Sequence, residues 1–290
     1  MLQRYSDVRF NDEGVALHGE ALIAFASGRR KLITALERID EAFLAAVPEL
    51  EVVSKYGVGT DTLDAQAMVR HGVRLGWTSG VNKRSVTELA LAFMIALLRG
   101  LPQASREIRA GVWKNRLGGQ LSARVVGIVG CGNVGKDLTP VLRALGCSVL
   151  AHDILEFPEF YAAHAVEPVG LDELLRRSDI VTLHVPLDDT TRGMLSAEKL
   201  ALLKPDALLI NTARGGLVDE VALKAMLIDG RLAGAGFDVF ATEPPQDAEL
   251  LGLPTFLATP HIGGSSEEAV LAMGRAAIRG LDDNRLPGTD

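Results

Sequence analysis

The 290 residues suffice for one large domain or two ordinary ones with a sizeable core. An apolar content of 48% excludes a disordered chain, and an aromatic share of 5% suits a core of Ala, Val, Leu and Ile, as helix-covered parallel sheets have. With 30 Lys and Arg against 37 Asp and Glu the net charge is −7, which argues against nucleic acid or an acidic membrane as a partner.

Met1–Asn11 holds no apolar run of the kind a secretory signal needs, so a cytoplasmic protein is expected. The N-terminal part, to about Gly80, has its own rhythm: strands over Ala21–Phe25 and Glu51–Lys55, with a helix over Asp40–Ala46 between them. Gly28-Arg29-Arg30-Lys31 is expected as an exposed loop, with binding of a substrate phosphate as the lesser reading. The most apolar run, Leu89–Leu98, falls short of the roughly 20 residues a bilayer requires and reads as a buried or interface helix. Cys131 and Cys147 cannot build a disulfide framework and suit a reducing compartment.

From Ala123 onward the pattern is regular. Strands are expected over Arg124–Gly130, Ser148–Asp153, Ile180–Val185, Ala207–Thr212, Gly234–Phe240 and Thr255–Thr259. Helical spacing falls over Val134–Leu145, Leu171–Arg177, Ser196–Leu202 and Glu220–Asp229. Asp172, Ser196 and Asp219 lie near helix starts as candidate caps, and Gly146 and Gly230 follow helix ends. This alternation predicts an α/β fold with a doubly wound parallel sheet. A last helix, Ser266–Leu281, has no further strand to pair with and is expected to return to the N-terminal unit. The expected domains are therefore 1–81 with 264–290, a smaller discontinuous one, and 82–263, inserted into it.

Gly130-Cys131-Gly132-Asn133-Val134-Gly135 is a G-x-G-x-x-G that follows the strand VVGIV and opens a helix, the context this motif needs to bind a dinucleotide. Gly130 permits the tight turn, Gly132 lets a pyrophosphate approach the backbone, and Gly135 lets helix and strand pack closely. Asp153 ends the next strand, where a carboxylate accepts both ribose hydroxyls and repels a 2′-phosphate, so NAD is expected over NADP. Cys131 reads as a small buried filler.

Three more segments lie at the ends of predicted strands, where open α/β sheets place ligands. Arg214 follows the strand ALLI, and a permanent cation there suits a two-bond clamp on a carboxylate. In isolation it would read as a surface arginine. His261 suits proton donation to a carbonyl oxygen at neutral pH, helped by a carboxylate on its other nitrogen. Taken alone, it fits an ordinary loop histidine equally well.

In this order the segments resemble the D-isomer-specific 2-hydroxyacid dehydrogenase family, which includes D-3-phosphoglycerate and D-lactate dehydrogenases and glyoxylate/hydroxypyruvate reductases. The likeness runs from about Val52 to Met273 and includes SKYGVGTDTLD (54–64), the glycine loop, HVPLDDTT (184–191), INTARGGLVDE (210–220), FDVFATEPP (237–245) and TPHIGG (259–264). It implies a Rossmann NAD-binding domain within a substrate domain, itself a doubly wound parallel sheet, and hydride transfer between NAD(H) and a small 2-hydroxy or 2-oxo acid of D stereochemistry. Arg214, Glu243 and His261 are the implied catalytic residues. The amides of Val58 and Gly59 would hold the substrate carboxylate, with Asn82 facing substrate. Gly130, Gly132, Asn133, Val134 and Gly135 would hold the pyrophosphate and Asp153 the ribose. Val185, Pro186 and Thr190 would line the adenosine, Thr212 and Ala213 the nicotinamide. Asp238 would accept a bond from the carboxamide, and Gly263 and Gly264 would pass close to the ring. No metal is expected. A homodimer is implied, with Thr87–Trp113 as candidate interface.

The chain also departs from the family pattern. Met1 falls inside the family's first helix, so the opening strand of the substrate domain is expected to be absent. Trp77-Thr78-Ser79-Gly80 replaces a segment that often carries Thr-Pro, and Arg84 stands where a small or apolar residue is common. Arg84 reads as a solvated helix-start residue, with a substrate contact as the second reading. A nucleotide-sensing, corepressor-like scaffold on the same fold is the alternative function. Formate dehydrogenases pair their histidine with glutamine, where Glu243 stands here, and are disfavoured; phosphite-oxidising relatives stay open.

Overall fold

A computed structural model describes residues 4, 5 and 7–288. The chain forms two compact units, one of Met1–Asn82 with Glu267–Asp290 and one of Lys83–Ser266. In chain order the first unit contains α1 (Gly19–Ala26), β1 (Lys31–Thr34), α2 (Glu41–Ala46), β2 (Val52–Lys55), α3 (Ala65–Arg70) and β3 (Arg74–Gly76). The second opens with α4 (Lys83–Leu98), α5 (Leu101–Arg109), β4 (Val125–Val129), α6 (Asn133–Ala144) and β5 (Ser148–His152). It continues with α7 (Pro158–His164), β6 (Val166–Pro168), α8 (Leu171–Arg177), β7 (Ile180–Leu183), α9 (Ala197–Leu200) and β8 (Leu208–Asn211). It ends with α10 (Glu220–Ile228), β9 (Gly234–Phe237), α11 (Ala248–Gly252) and β10 (Phe256–Ala258), after which α12 (Glu267–Gly280) belongs to the first unit.

Two expectations for the first unit need correction. Ala21–Phe25 is not a strand but the middle of α1, where Leu22 and Ala26, four residues apart, bury one helical face. A short apolar run has no period that separates strand from helix, and Ala and Leu favour the latter. The edge strand is β1 instead, so Lys31 opens a strand, not a loop. Asp40 and Asp64 start α2 and α3 by accepting bonds from Phe43 N (3.1 Å) and Ala67 N (2.9 Å). The three strands pair in parallel in the order β1-β2-β3. Helix α12 lies against them through a glycine contact: a Cβ on Gly76 would stand 2.1 Å from Gly280 O. The buried Ser54 hydroxyl sits 2.7 Å from Ala277 O and 3.2 Å from Gly76 O, tying the helix to the sheet.

The second unit holds a seven-stranded, all-parallel sheet ordered β10-β9-β8-β7-β4-β5-β6. Six strands were expected. The seventh, β6, is a Val-Glu-Pro edge with too little pattern to read, and proline is tolerated at an edge. Successive strand residues feed opposite faces: Leu209 packs in the cluster of Leu174, Leu200 and Leu223, while Leu208 and Ile210 pack with Phe93, Met94 and Leu138. The apolar run in α4 is thus a core helix. No single helix among the described residues is long and apolar enough to cross a membrane; α4 and α5 together pass by length but bend by 63°. Asp219 caps α10 through Val221 N (3.1 Å) and Ala222 N (3.0 Å), and Ser196 caps α9. Asp172 does not cap α8, whose N-cap is Gly170; it pairs with Lys199 instead. Gly146 and Gly230 adopt φ of 82° and 68° after their helices.

The strand order reverses between β4 and β7, so the loops leaving their carboxyl ends diverge over the sheet and leave a crevice. The glycine loop stands at that crevice.

Candidate active site

Each glycine of the loop has a distinct surrounding. Gly130 has φ of 94°, and a Cβ there would lie 2.7 Å from the His184 carbonyl carbon at the end of β7. A Cβ on Gly135 would lie 2.5 Å from Gly130 O, so this glycine lets α6 close on the turn. A Cβ on Gly132 would meet nothing within 4 Å. The space above it is open, and the amides of Asn133, Val134 and Gly135 have no acceptor among the described residues. Asp153 closes one side: Oδ2 accepts from Cys131 N (2.6 Å) and Oδ1 from Leu155 N (2.9 Å), with lone pairs remaining on both oxygens. Burial pushes the Cys131 thiol up to about 11, which keeps it inert.

His184 went unread in the sequence. Its Nε2 is 3.0 Å from Thr182 Oγ1, its Nδ1 is buried without a partner, and burial pushes the imidazole down to about 3. An unfolded histidine takes its proton near pH 6.5, so the stability that depends on neutral His184 is complete above about pH 6.5 and lost as pH falls toward about 3. Across that window the cost is about 1.4 kcal/mol per pH unit. Urea unfolding of wild type and His184→Gln at several pH values is expected to show a shallower acid slope in the variant.

At the ends of β9 and β10, Asp238 builds the turn that carries His261. It is 1% exposed and accepts from Thr259 Oγ1 (2.5 Å), Ile262 N (2.7 Å) and Gly263 N (2.7 Å), while its carbonyl accepts from His261 N (2.9 Å). These bonds hold His261 at φ of 54°, a left-handed conformation that costs a side chain about 1–3 kcal/mol and concentrates at functional positions. His261 Nδ1 donates to Glu243 Oε2 at 2.9 Å, and Glu243 Oε1 accepts from Phe240 N at 3.1 Å. Both side chains are partly exposed. With Nδ1 committed to Glu243, Nε2 is the nitrogen available for proton exchange.

Arg214 follows β8 in a turn tied by Asn211, whose Nδ2 donates to Arg214 O (2.8 Å) and whose Oδ1 accepts from Ala213 N (3.1 Å). Its Nη1 donates to Ala213 O at 2.6 Å. A Cβ on Gly215 would stand 1.9 Å from Phe240 C and O. The Arg214 turn and the segment leading to Glu243 therefore press backbone on backbone, and three separate strand ends converge.

A family model for "D-isomer specific 2-hydroxyacid dehydrogenase, NAD binding domain" matches residues 91–263. The chain is 38% identical over 240 residues to a D-3-phosphoglycerate dehydrogenase of Mycobacterium leprae (strain TN), covering 82% of this chain and 46% of that one. It is 34% identical over 248 residues to a hydroxypyruvate reductase of Thermotoga maritima, covering 84% and 80%. The crystal structure of a glyoxylate reductase from Paecilomyes thermophila superposes with a TM-score of 0.84 at 27% identity, over 92% of this chain and 84% of that one. The chain belongs to the D-isomer-specific 2-hydroxyacid dehydrogenase family. It spans about half the length of the D-3-phosphoglycerate dehydrogenases it matches.

The cofactor of this family domain is NAD, and the residues present fit it. Three open amides at the start of α6 and the space above Gly132 suit a pyrophosphate, and the buried Thr212 Oγ1, which has no partner, offers a polar group near Ala213. Val185, Pro186 and Thr190 lie in the turn after β7, where Asp188 Oδ1 takes both Thr190 N (2.8 Å) and Thr190 Oγ1 (2.6 Å). Gly263 and Gly264 follow His261 directly. In the first unit, Val58 and Gly59 lie in the turn after β2, with Val58 O accepting from Trp77 Nε1 (3.0 Å), and Asn82 is its last residue before α4.

The cationic candidates find carboxylates nearby. Arg84 pairs with Asp137 of α6 (3.0 Å), Arg30 with Glu51 (2.7 Å), Lys31 with Asp282 (2.9 Å) and Arg29 with Asp7.

Proposed function

We propose that this chain interconverts a small 2-oxo acid and its D-2-hydroxy acid with NAD(H), His261 acting as acid and base, Glu243 as its partner and Arg214 as the carboxylate clamp. The observation that carries this reading is the 2.9 Å contact between His261 Nδ1 and Glu243 Oε2, within a turn built by Asp238. NAD(H), when bound, supplies or takes up the hydride. His261 Nε2 holds the proton that the carbonyl oxygen receives on reduction and takes it back on oxidation. Glu243 fixes the ring's tautomer and offsets the positive charge while that proton is held. Arg214 stays charged throughout and fits two carboxylate oxygens with parallel bonds. On the sequence resemblance, the amides of Val58 and Gly59 take the substrate carboxylate, with Asn82 toward substrate.

The names of the relatives point to small acids, 3-phosphoglycerate with a phosphate and hydroxypyruvate and glyoxylate without one, and the ion pairs made by Arg84 and the 29–31 cluster favour the latter. NADH oxidation should be screened over 2-oxo acids of varied size and charge, phosphorylated ones included. Turnover of short unphosphorylated acids is expected, and at least about tenfold less with NADPH, whose 2′-phosphate Asp153 repels. NADH binding with no turnover of any 2-oxo acid would defeat the dehydrogenase reading in favour of a nucleotide-sensing scaffold.

We further assign homodimer formation to the region of Thr87–Trp113 and the residues just after it. Leu101 and Ile108 of α5 are exposed, as are Val112, Trp113 and Leu117 beyond it, the last two almost completely. An apolar surface of this kind marks an interaction site. Light scattering is expected to give a dimer mass for wild type and a monomer mass for Trp113→Glu. A monomeric wild type would refute the assignment.

A further inference from the structure

Trp77 stands where the sequence departs from the family pattern. Strands β2 and β3 run in parallel with Ser54 beside Gly76, so the turn after β2 and Trp77 leave the same end of the sheet. The platform under Trp77 is fixed. Ser54 Oγ sits 3.2 Å from Gly76 O, and Gly76 lies so close to Gly280 that neither position has room for a Cβ.

The turn is anchored at both ends and loose between them. Tyr56 N donates to Thr34 O (2.8 Å) at its start, and at its finish Ile39 N donates to Thr62 O (2.9 Å) and Leu63 N to Thr60 O (2.9 Å). Between these anchors Gly57, at φ of 115°, and Gly59 flank Val58 with soft backbone dihedrals. The amides of Gly57, Val58 and Gly59 have no acceptor among the described residues. Among those residues, the one hydrogen bond made by this stretch runs from Trp77 Nε1 to Val58 O, at 3.0 Å. Val58 C=O and Gly59 N–H belong to one peptide unit, which is planar and trans, so the two point in opposite directions. Holding the Val58 oxygen therefore aims the Gly59 N–H. A bond accepted by that oxygen also polarises the unit and strengthens the N–H as a donor.

We propose that Trp77 is a positioning residue for substrate binding: its indole N–H sets the Val58–Gly59 peptide plane so that the Gly59 amide meets the carboxylate of a 2-oxo acid. The proposal rests on the dehydrogenase reading, in which that amide takes the carboxylate. The carboxylate does not react, so it is held alike in the ground state and the transition state. The contribution of Trp77 therefore falls on KM and not on kcat.

The test compares Trp77→Phe with Trp77→His. Trp77 is 38% exposed, so neither substitution opens the core. Phenylalanine keeps an aromatic ring and has no donor. Histidine loses more apolar surface, but its Nε2 is separated from Cγ by one carbon, as the indole nitrogen is, and can donate from the same place. KM is measured with glyoxylate, hydroxypyruvate and any other 2-oxo acid that wild type reduces, beside NADH affinity and urea unfolding. Trp77→Phe is expected to raise KM about tenfold, with kcat within about threefold of wild type and NADH affinity unchanged. Trp77→His is expected to keep KM within about threefold of wild type, whatever its stability. A ring that served packing alone would give the reverse order, with histidine the worse replacement. Equal or reversed effects of the two variants on KM would overturn the proposal, as would a wild-type KM in Trp77→Phe or a loss confined to kcat. A wild type that reduces no 2-oxo acid would defeat the dehydrogenase reading, and this proposal with it.

Discussion

His261→Ala is expected to lower 2-oxo-acid reduction by about 10²–10⁴-fold, the contribution typical of a positioned general acid, while NADH affinity measured by fluorescence stays near wild type. The split matters because His261 lies in a turn organised by Asp238 and not by its own side chain. Glu243→Gln tests the partner. Glu243 Oε2, 2.9 Å from Nδ1, fixes the ring's tautomer and leaves Nε2 for the substrate. Replacing the carboxylate by an amide is expected to lower kcat by about tenfold or more while NADH affinity stays near wild type. An unchanged kcat would remove Glu243 from its proposed role, and near-native turnover in His261→Ala would remove the histidine from its own.

Gly215→Ala is expected to be the most damaging small substitution near the site. Its Cβ would stand 1.9 Å from Phe240 C and O and 2.4 Å from Ala241 N, and backbone cannot step aside as a flexible side chain can. The cost should reach the upper end of overpacking penalties, about 3 kcal/mol in urea unfolding. Phe240 N also positions Glu243, so kcat should fall with stability. Gly216→Ala provides the comparison. There a Cβ meets nothing closer than 3.6 Å, but φ is 80°, so the expected cost is backbone strain of about 1–2 kcal/mol without loss of site geometry. Equal effects of the two variants would show that the close approach at Gly215 is relieved elsewhere.

Much of the second unit could be read from residues alone because its strands are short apolar runs separated by helices with caps and glycine stops. The glycine loop was legible through its context, and Gly130, Gly132 and Gly135 each stand where a different constraint applies. The first unit was harder. Part of α1 was read as a strand because the short apolar run Ala21–Phe25 carries no distinguishing period, and the three residues of β3 and of β6 are defined by neighbours rather than composition.

By itself the sequence determined the dinucleotide loop, the strand–helix alternation and the presence of Arg214, Glu243 and His261 at strand ends, because these depend on local chemistry and spacing. Only tertiary structure decided what pairs with what. Arg84 meets Asp137, residues 53 apart in the chain, and the cations at 29–31 meet the carboxylates of Asp7, Glu51 and Asp282. Asp238 gathers three donors from the His261 turn, 21 to 25 residues away. The neutral state of His184 is likewise set by burial, which exists only once distant segments pack together.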